Sequence, residues 1–308
     1  AKDLGIYRIV FANGVQLYLK PTPFQANQVL AAMSFGGGHL SEPADQPGLA
    51  KFTEAVLNQS GFGGMDRMAL EDALAGRLAS TRLTIREDMF VVKGEAAASE
   101  IPLLFQLLYT FIKDPGMRED ARRLSLKRFE QEHERLVHST EGMMQLHGHR
   151  FLAGGDSRFG TPAWSELQQR SLGQVNQWFG SQLRQTPLEL ALVGDFDPEA
   201  VIALAARYLG SLPKRSSGPI QPKRHSPVFP SGKSLSLAVK TEIPKALVVV
   251  AYPTDDFWEI KRTRRLAVTA DLFSERLRQR IRERLGAAYS PYAYNHSSRS
   301  YPDYGLLK

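Results

Sequence analysis

The residues with the clearest chemical potential share one short amphipathic stretch. Between Pro47-Gly48 and Gly61, the apolar residues Leu49, Phe52 and Val56 fall on one helix face, and Lys51, Glu54 and Ala55 fall on the opposite one. Positions i, i+3 and i+4 project together. This is the layout of the string His-x-x-Glu-His, in which two histidines ligate a metal and the Glu activates water. Here the string is Lys51-Phe-Thr-Glu54-Ala55. The Glu slot is kept, but an ammonium without a lone pair and a methyl group fill the histidine slots. On spacing alone the face reads as solvated helix surface rather than as a site.

Other candidate groups are weaker. His147-Gly-His149 is a tempting metal pair, but residues at i and i+2 do not share a helix face. His133 and His138 lie in a charged stretch and are expected to be exposed. Gly36-Gly37-Gly38 is followed by no Lys-Ser/Thr or nucleotide fingerprint, so it reads as a strand end where backbone approaches backbone. The segment 261–284 carries nine Lys or Arg against three acids. A nucleic-acid binder is the rival class that this suggests. The basic residues are spread through one amphipathic helix and no nucleic-acid motif accompanies them, so a basic wall that attracts acidic peptides explains the charge as well.

The elements that must position these groups follow from periodicity. Residues 8–20 read as a hairpin around Asn13-Gly14, and 29–35 as a strand ending in the three glycines. Helices are expected over 49–60, 68–78, 101–112, 167–183 and 198–209, with a long charged helix or a broken pair over 118–151. Strands are expected at 80–85, 90–95 and 188–193. Residues 213–232 hold five prolines without periodicity and read as a linker. Beyond it the order restarts: strands at 235–240 and 247–252, a helix over 262–285 and a strand at 288–294. The expected fold is α+β, with an antiparallel-rich sheet covered by helices. Its expected domains are 1–212 and a second of similar pattern, cut short, at 233–308.

Composition bounds the answer further. The 308 residues are 43% hydrophobic and 23% charged, ordinary for a globular chain. The net charge is +7, and there is no cysteine, which excludes disulfides, thiolate metal sites and cysteine nucleophiles. The longest apolar runs, such as 246–252, are far shorter than the roughly 20 residues of a membrane helix. The first residue is not Met, no apolar signal core follows it, and the last residues read as strand, so a piece of a longer protein is expected.

Four segments in order carry a family resemblance: Ser34-Phe-Gly-Gly-Gly38 with Glu42-Pro43 and Gly48-Leu49-Ala50; Phe151-Leu-Ala-Gly-Gly155 with Phe159-Gly160-Thr161-Pro162; Leu190-Ala-Leu-Val-Gly194-Asp195-Phe196-Asp197-Pro198; and Arg282-Glu-Arg-Leu285-Gly286-Ala-Ala-Tyr289-Ser290. Together they resemble the pitrilysin-type (insulinase-like, M16) zinc peptidases over essentially the whole chain. The resemblance implies two homologous halves, each of two α+β domains, closing around a peptide. The family's metal slots then fall on Lys51, Ala55 and Glu132, and its general-base slot on Glu54. Only Glu132 among the metal slots could ligate, which is the pattern of the degenerate carboxy-terminal half. The resemblance further implies that Arg282 and Tyr289, seven residues apart, bind the substrate backbone beside the scissile bond.

The implied function is thus the zinc-free half of a zinc metallopeptidase, inactive alone. Its partners would be a catalytic half, upstream in the same polypeptide or a separate subunit, and a peptide substrate. The chain would hold no cofactor, with zinc on the other half, and would need neither nucleic acid nor membrane. A bacterial source would favour the periplasm. The alternative is a non-catalytic structural or partner subunit of such a complex.

Overall fold

The computed structural model describes residues 4–216, 226–241 and 244–308. The chain forms two compact units, Ala1–His133 with Pro162–Pro222, and Glu134–Thr161 with Lys223–Lys308. The expected first domain, 1–212, therefore differs in residues 134–161, which pack with later chain. Aromatic contacts hold them there: Phe159 lies 5.0 Å from Tyr301 and 5.4 Å from Tyr304. Part of the expected linker, residues 217–225, lies outside the described residues.

The first unit is built on β1 (Tyr7–Val10), β2 (Gln16–Pro21), β3 (Val29–Phe35), β4 (Ala79–Ile85), β5 (Phe90–Ala96) and β6 (Leu188–Gly194). They form one sheet in the order β1-β2-β6-β3-β5-β4. The β2–β6 pair is parallel and the others are antiparallel. The apolar alternation predicted for β3 is its core face: Ala31, Met33 and Phe35 sit opposite Leu192, Leu190 and Leu188 of β6, all buried. The Asn13-Gly14 hairpin forms as expected. Gly14 takes φ +88°, its N–H donates to Phe11 O, and Phe11 N–H donates to Val15 O. This is a turn closed by a glycine bulge.

Helices α1 (Leu49–Gln59), α2 (Arg67–Ala73), α3 (Ile101–Lys113), α4 (Glu119–Val137) and α10 (Pro198–Tyr208) belong to the same chain order. Leu49, Phe52 and Val56 of α1 are fully buried, so its apolar face is the one the periodicity predicts. Asp66 and Asp197 cap α2 and α10 by accepting from Ala69 and Ala200 N–H. The expected helix over 167–183 is two pieces. The first, α7 (Trp164–Leu167), ends where the prediction begins. Ser171 then opens the second and caps it reciprocally with Gln174. That second piece is α8 (Leu172–Val175), a π-helical turn (Asn176–Gly180) and α9 (Ser181–Gln185).

In the second unit, α5 (Thr140–Met143), a π-helical turn (Met144–Gly148) and α6 (His149–Leu152) continue the broken pair expected over 118–151. The later part contains β7 (Tyr252–Thr254), α11 (Ile260–Leu277) with a π-helical end (Arg278–Arg284), β8 (Asn295–Ser297) and β9 (Gly305–Leu307). These strands form an antiparallel sheet ordered β7-β9-β8. The strands expected at 235–240, 247–252 and 288–294 do not form ladders, apart from Tyr252 in β7 and Tyr294, which exchanges both backbone bonds with Lys308. Alternation reports a strand's faces and not its neighbour, and without a neighbour to take the backbone bonds no ladder exists. No helix among the described residues is long and apolar enough to cross a membrane.

Candidate functional site

The chain enters α1 through a tightly bonded loop. After β3, Gly36 and Gly37 N–H donate to Thr186 Oγ1 and Gln182 Oε1, and Gln182 Nε2 donates to Ser41 Oγ. A Cβ on Gly38 would stand 2.3 Å from Arg86 O, so the third glycine is required by close backbone approach, as its sequence position suggests. Glu42 Oε1 then accepts from Ala50 N–H at 2.9 Å. This places a carboxylate at the α1 N-terminus, where the helix dipole favours it.

On the outer face of α1, Lys51 Nζ donates to Glu132 Oε2 of α4 at 2.9 Å and stands 5.5 Å from the Phe129 ring centroid. The structure thus brings together Lys51 and Glu132, 81 residues apart in the chain. Glu54 is engaged elsewhere: its Oε2 accepts from Ile85 N–H of β4 at 2.6 Å. One turn later, Asn58 Nδ2 donates to Leu83 O at 2.9 Å and its Oδ1 accepts from Leu83 N–H at 3.0 Å. Asn58 was not singled out by sequence reasoning, although its position four residues after Glu54 on the same face was the available signal. Ala55 is half-buried and packs against the core.

A zinc at the slots of Lys51, Ala55 and Glu132 does not fit these residues. The ammonium of Lys51 takes the one carboxylate that could ligate, and Ala55 offers no donor atom. Among the described residues, no three His, Cys, Asp or Glu side chains converge to hold a metal. His147 is exposed while His149 is half-buried, so the pair diverges. His133 departs from its expected exposure: it is half-buried, with its Nδ1 enclosed.

Arg282 and Tyr289 do lie together. The Arg282 guanidinium stands 4.6 Å from the Tyr289 ring centroid, and Tyr289 is 79% exposed. The π-helical end of α11 stops at Gly286, where φ is +59°. Gly286 N–H donates to Arg282 O, and Ala287 N–H to Ile281 O. Nothing lies within 4 Å of a Cβ placed there, so this glycine answers the backbone conformation and not a close approach. Past Tyr289, Ala293 is held to α11 by Ser274, whose Oγ accepts from its N–H and donates to its C=O. Within the arginine run, Arg278 is bound to Glu275 at 2.8 Å and Glu283 at 3.2 Å. Arg282 has no carboxylate partner among the described residues.

Residues 171–308 match the sequence profile of the peptidase M16 inactive domain. Over that stretch the chain is similar to the M16 peptidases. The chloroplastic stromal processing peptidase of Arabidopsis thaliana is 23% identical over 269 residues, 83% of this chain and 21% of the relative. That of Oryza sativa subsp. indica is 25% identical over 267 residues, again 83% and 21%. The chain therefore spans about a fifth of the length of the curated relatives it matches. Among solved structures, the peptidase M16 inactive domain from Pseudomonas fluorescens superposes with a TM-score of 0.73 at 18% identity, covering 99% of this chain and 74% of that one. The ferredoxin protease FusC, solved as a point mutant in complex with Arabidopsis ferredoxin, gives 0.72 at 16% identity, with 99% and 34% covered. The periplasmic protease PqqL from Escherichia coli gives 0.66 at 16%, with 98% and 34%. These likenesses establish the α+β fold of M16 domains.

Proposed function

We propose that this chain is the half of an M16 metallopeptidase that holds no metal, and that it forms part of the peptide chamber and presents Arg282 and Tyr289 to the substrate backbone. The observation that carries this reading is the Lys51–Glu132 ion pair, an ammonium on the carboxylate that a metal would need. The two α+β units are read as successive domains of one such half. The zinc belongs to a catalytic partner half, in the same polypeptide or a separate subunit. The surplus of 39 basic over 32 acidic residues suits an acidic peptide.

The chemistry asked of Arg282 and Tyr289 is hydrogen-bond donation. A guanidinium and a phenol aimed at a developing oxyanion stabilise it more than they stabilise the ground state, roughly 3–4 kcal/mol for one donor. Support comes from their adjacency, their exposure, and the absence of a competing carboxylate on Arg282 among the described residues. The test is peptide cleavage by the two reconstituted halves. Tyr289→Phe keeps the ring under the guanidinium and removes only the hydroxyl. It should lower kcat roughly 10²–10³-fold, as should Arg282→Ala, while Arg278→Ala should do little. Wild-type rates for Tyr289→Phe, or equal losses for all three variants, would reduce the pair to packing and surface charge.

A further inference from the structure

We propose that Glu54 and Asn58 form a side-chain clamp that closes the outer edge of β4 to strand addition, so that the Glu retained in the general-base slot serves as an edge cap. β4 is the terminal strand of its sheet, with β5 as its only partner among the described residues. Its register sets Ala79, Thr81, Leu83 and Ile85 opposite Ala96, Gly94, Val92 and Phe90. Just beyond the strand ends, Arg86 N–H donates to Met89 O and Ala97 N–H to Leu78 O. The even-numbered residues therefore bond towards β5, and the odd-numbered ones turn their N–H and C=O outwards. A row of such groups seven residues long is a template for another strand.

α1 occupies half of that row. The Asn58 amide gives Leu83 one donor and one acceptor, the same pair of bonds that a residue of a neighbouring antiparallel strand would exchange with it. Glu54 accepts from Ile85 N–H at 2.6 Å, a short bond of the charge-assisted kind. An incoming strand would have to displace both and leave a half-buried carboxylate without its donor. What stays open is Ala79 to Thr81, at the lower limit of about three residues for a strand. Beside it lies a cavity of about 250 Å³ lined by Leu57, Leu70, Leu74 and Arg67. The occupant kept out is an extended backbone, whether of a peptide or of a second copy of this chain. The assignment needs no peptidase activity, so its test stands apart from that of the proposed function.

The experiment is amide hydrogen exchange of the full-length protein, with sedimentation of the same samples. In Asn58→Ala the Leu83 amide, and in Glu54→Ala the Ile85 amide, should exchange roughly tenfold faster, the factor expected for one net hydrogen bond. Leu190 in the centre of the sheet should be unchanged. The double alanine variant should associate with rising concentration beyond wild type. Wild-type exchange at Leu83 and Ile85 in the double variant, or no added association, overturns the clamp. Should the alanine variants unfold, Glu54→Gln decides alone: it keeps an acceptor for Ile85 N–H, so protection must persist, and its loss would refute the assignment.

Discussion

Replacing Lys51 by Met tests whether an ammonium has taken over the cohesive role of a metal between α1 and α4. Met keeps most of the aliphatic stem and deletes the charge. At 2.9 Å the gross attraction at an effective dielectric near 20 is about 6 kcal/mol. Most of it is offset by desolvation and by fixing two long side chains. The Lys51 and Glu132 side chains retain 29% and 36% of their exposure, which places the pair between an exposed bridge, worth about 0.2–1 kcal/mol, and a buried one. The 5.5 Å approach of Nζ to Phe129 adds roughly 0.5 kcal/mol. A loss of about 1–2 kcal/mol is expected for Lys51→Met, or about 3–6 °C in Tm for a unit of this size. A double-mutant cycle with Glu132→Gln should return a coupling near 1 kcal/mol. The assay is denaturant unfolding followed by tryptophan fluorescence in a Trp258→Phe background, so that Trp164 and Trp178 report the first unit. A coupling below about 0.3 kcal/mol, within the scatter of independent sites, would refute the reasoning, as would a Lys51→Met variant more stable than wild type.

Rebuilding the ligand set should rebuild the metal site: Lys51→His with Ala55→His, beside the existing Glu132, should retain close to one zinc per chain after dialysis, and no retention would show that α1 and α4 do not present the residues to one ion. The unaltered chain, purified alone with added zinc, should show no chelator-sensitive peptidase activity. Asn13→Ala should cost about 1–3 kcal/mol, because Asn13 Nδ2 bonds Leu209 O and Leu212 O and its Oδ1 accepts from Val15 N–H; thermal melts would measure it. The His149 imidazole is held below its ordinary value of 6.5 by burial, with Lys308 and His296 adding to the effect. The unfolded chain thus takes up the proton first as pH falls, so the second unit should keep its full stability above about pH 6.5 and lose part of it below. Melts at pH 8 and 5.5 should show this, with a smaller difference in His149→Gln.

Part of this protein is written locally in the chain. The buried face of α1, the hairpin at Asn13-Gly14, the alternation of β3 and β6 and the Asp caps of α2 and α10 depend on residues a few positions apart, whose spacing survives in one dimension. The loss of a metal site is also legible, because Lys51 and Ala55 have no atom that could ligate whatever the fold. What only the tertiary structure decided is who meets whom. Glu132 lies 81 residues from Lys51, and Ile85 lies 31 residues from Glu54; sheet order and helix packing set both meetings. Glu54 faces a strand edge and not the ammonium, because β4 ends the sheet beside α1 and its unpaired amides compete for the carboxylate. The strands expected at 235–240 and 288–294 fail for the same reason in reverse. Alternation marks which side of a strand faces the core, but a ladder exists only where a second backbone arrives to share its hydrogen bonds.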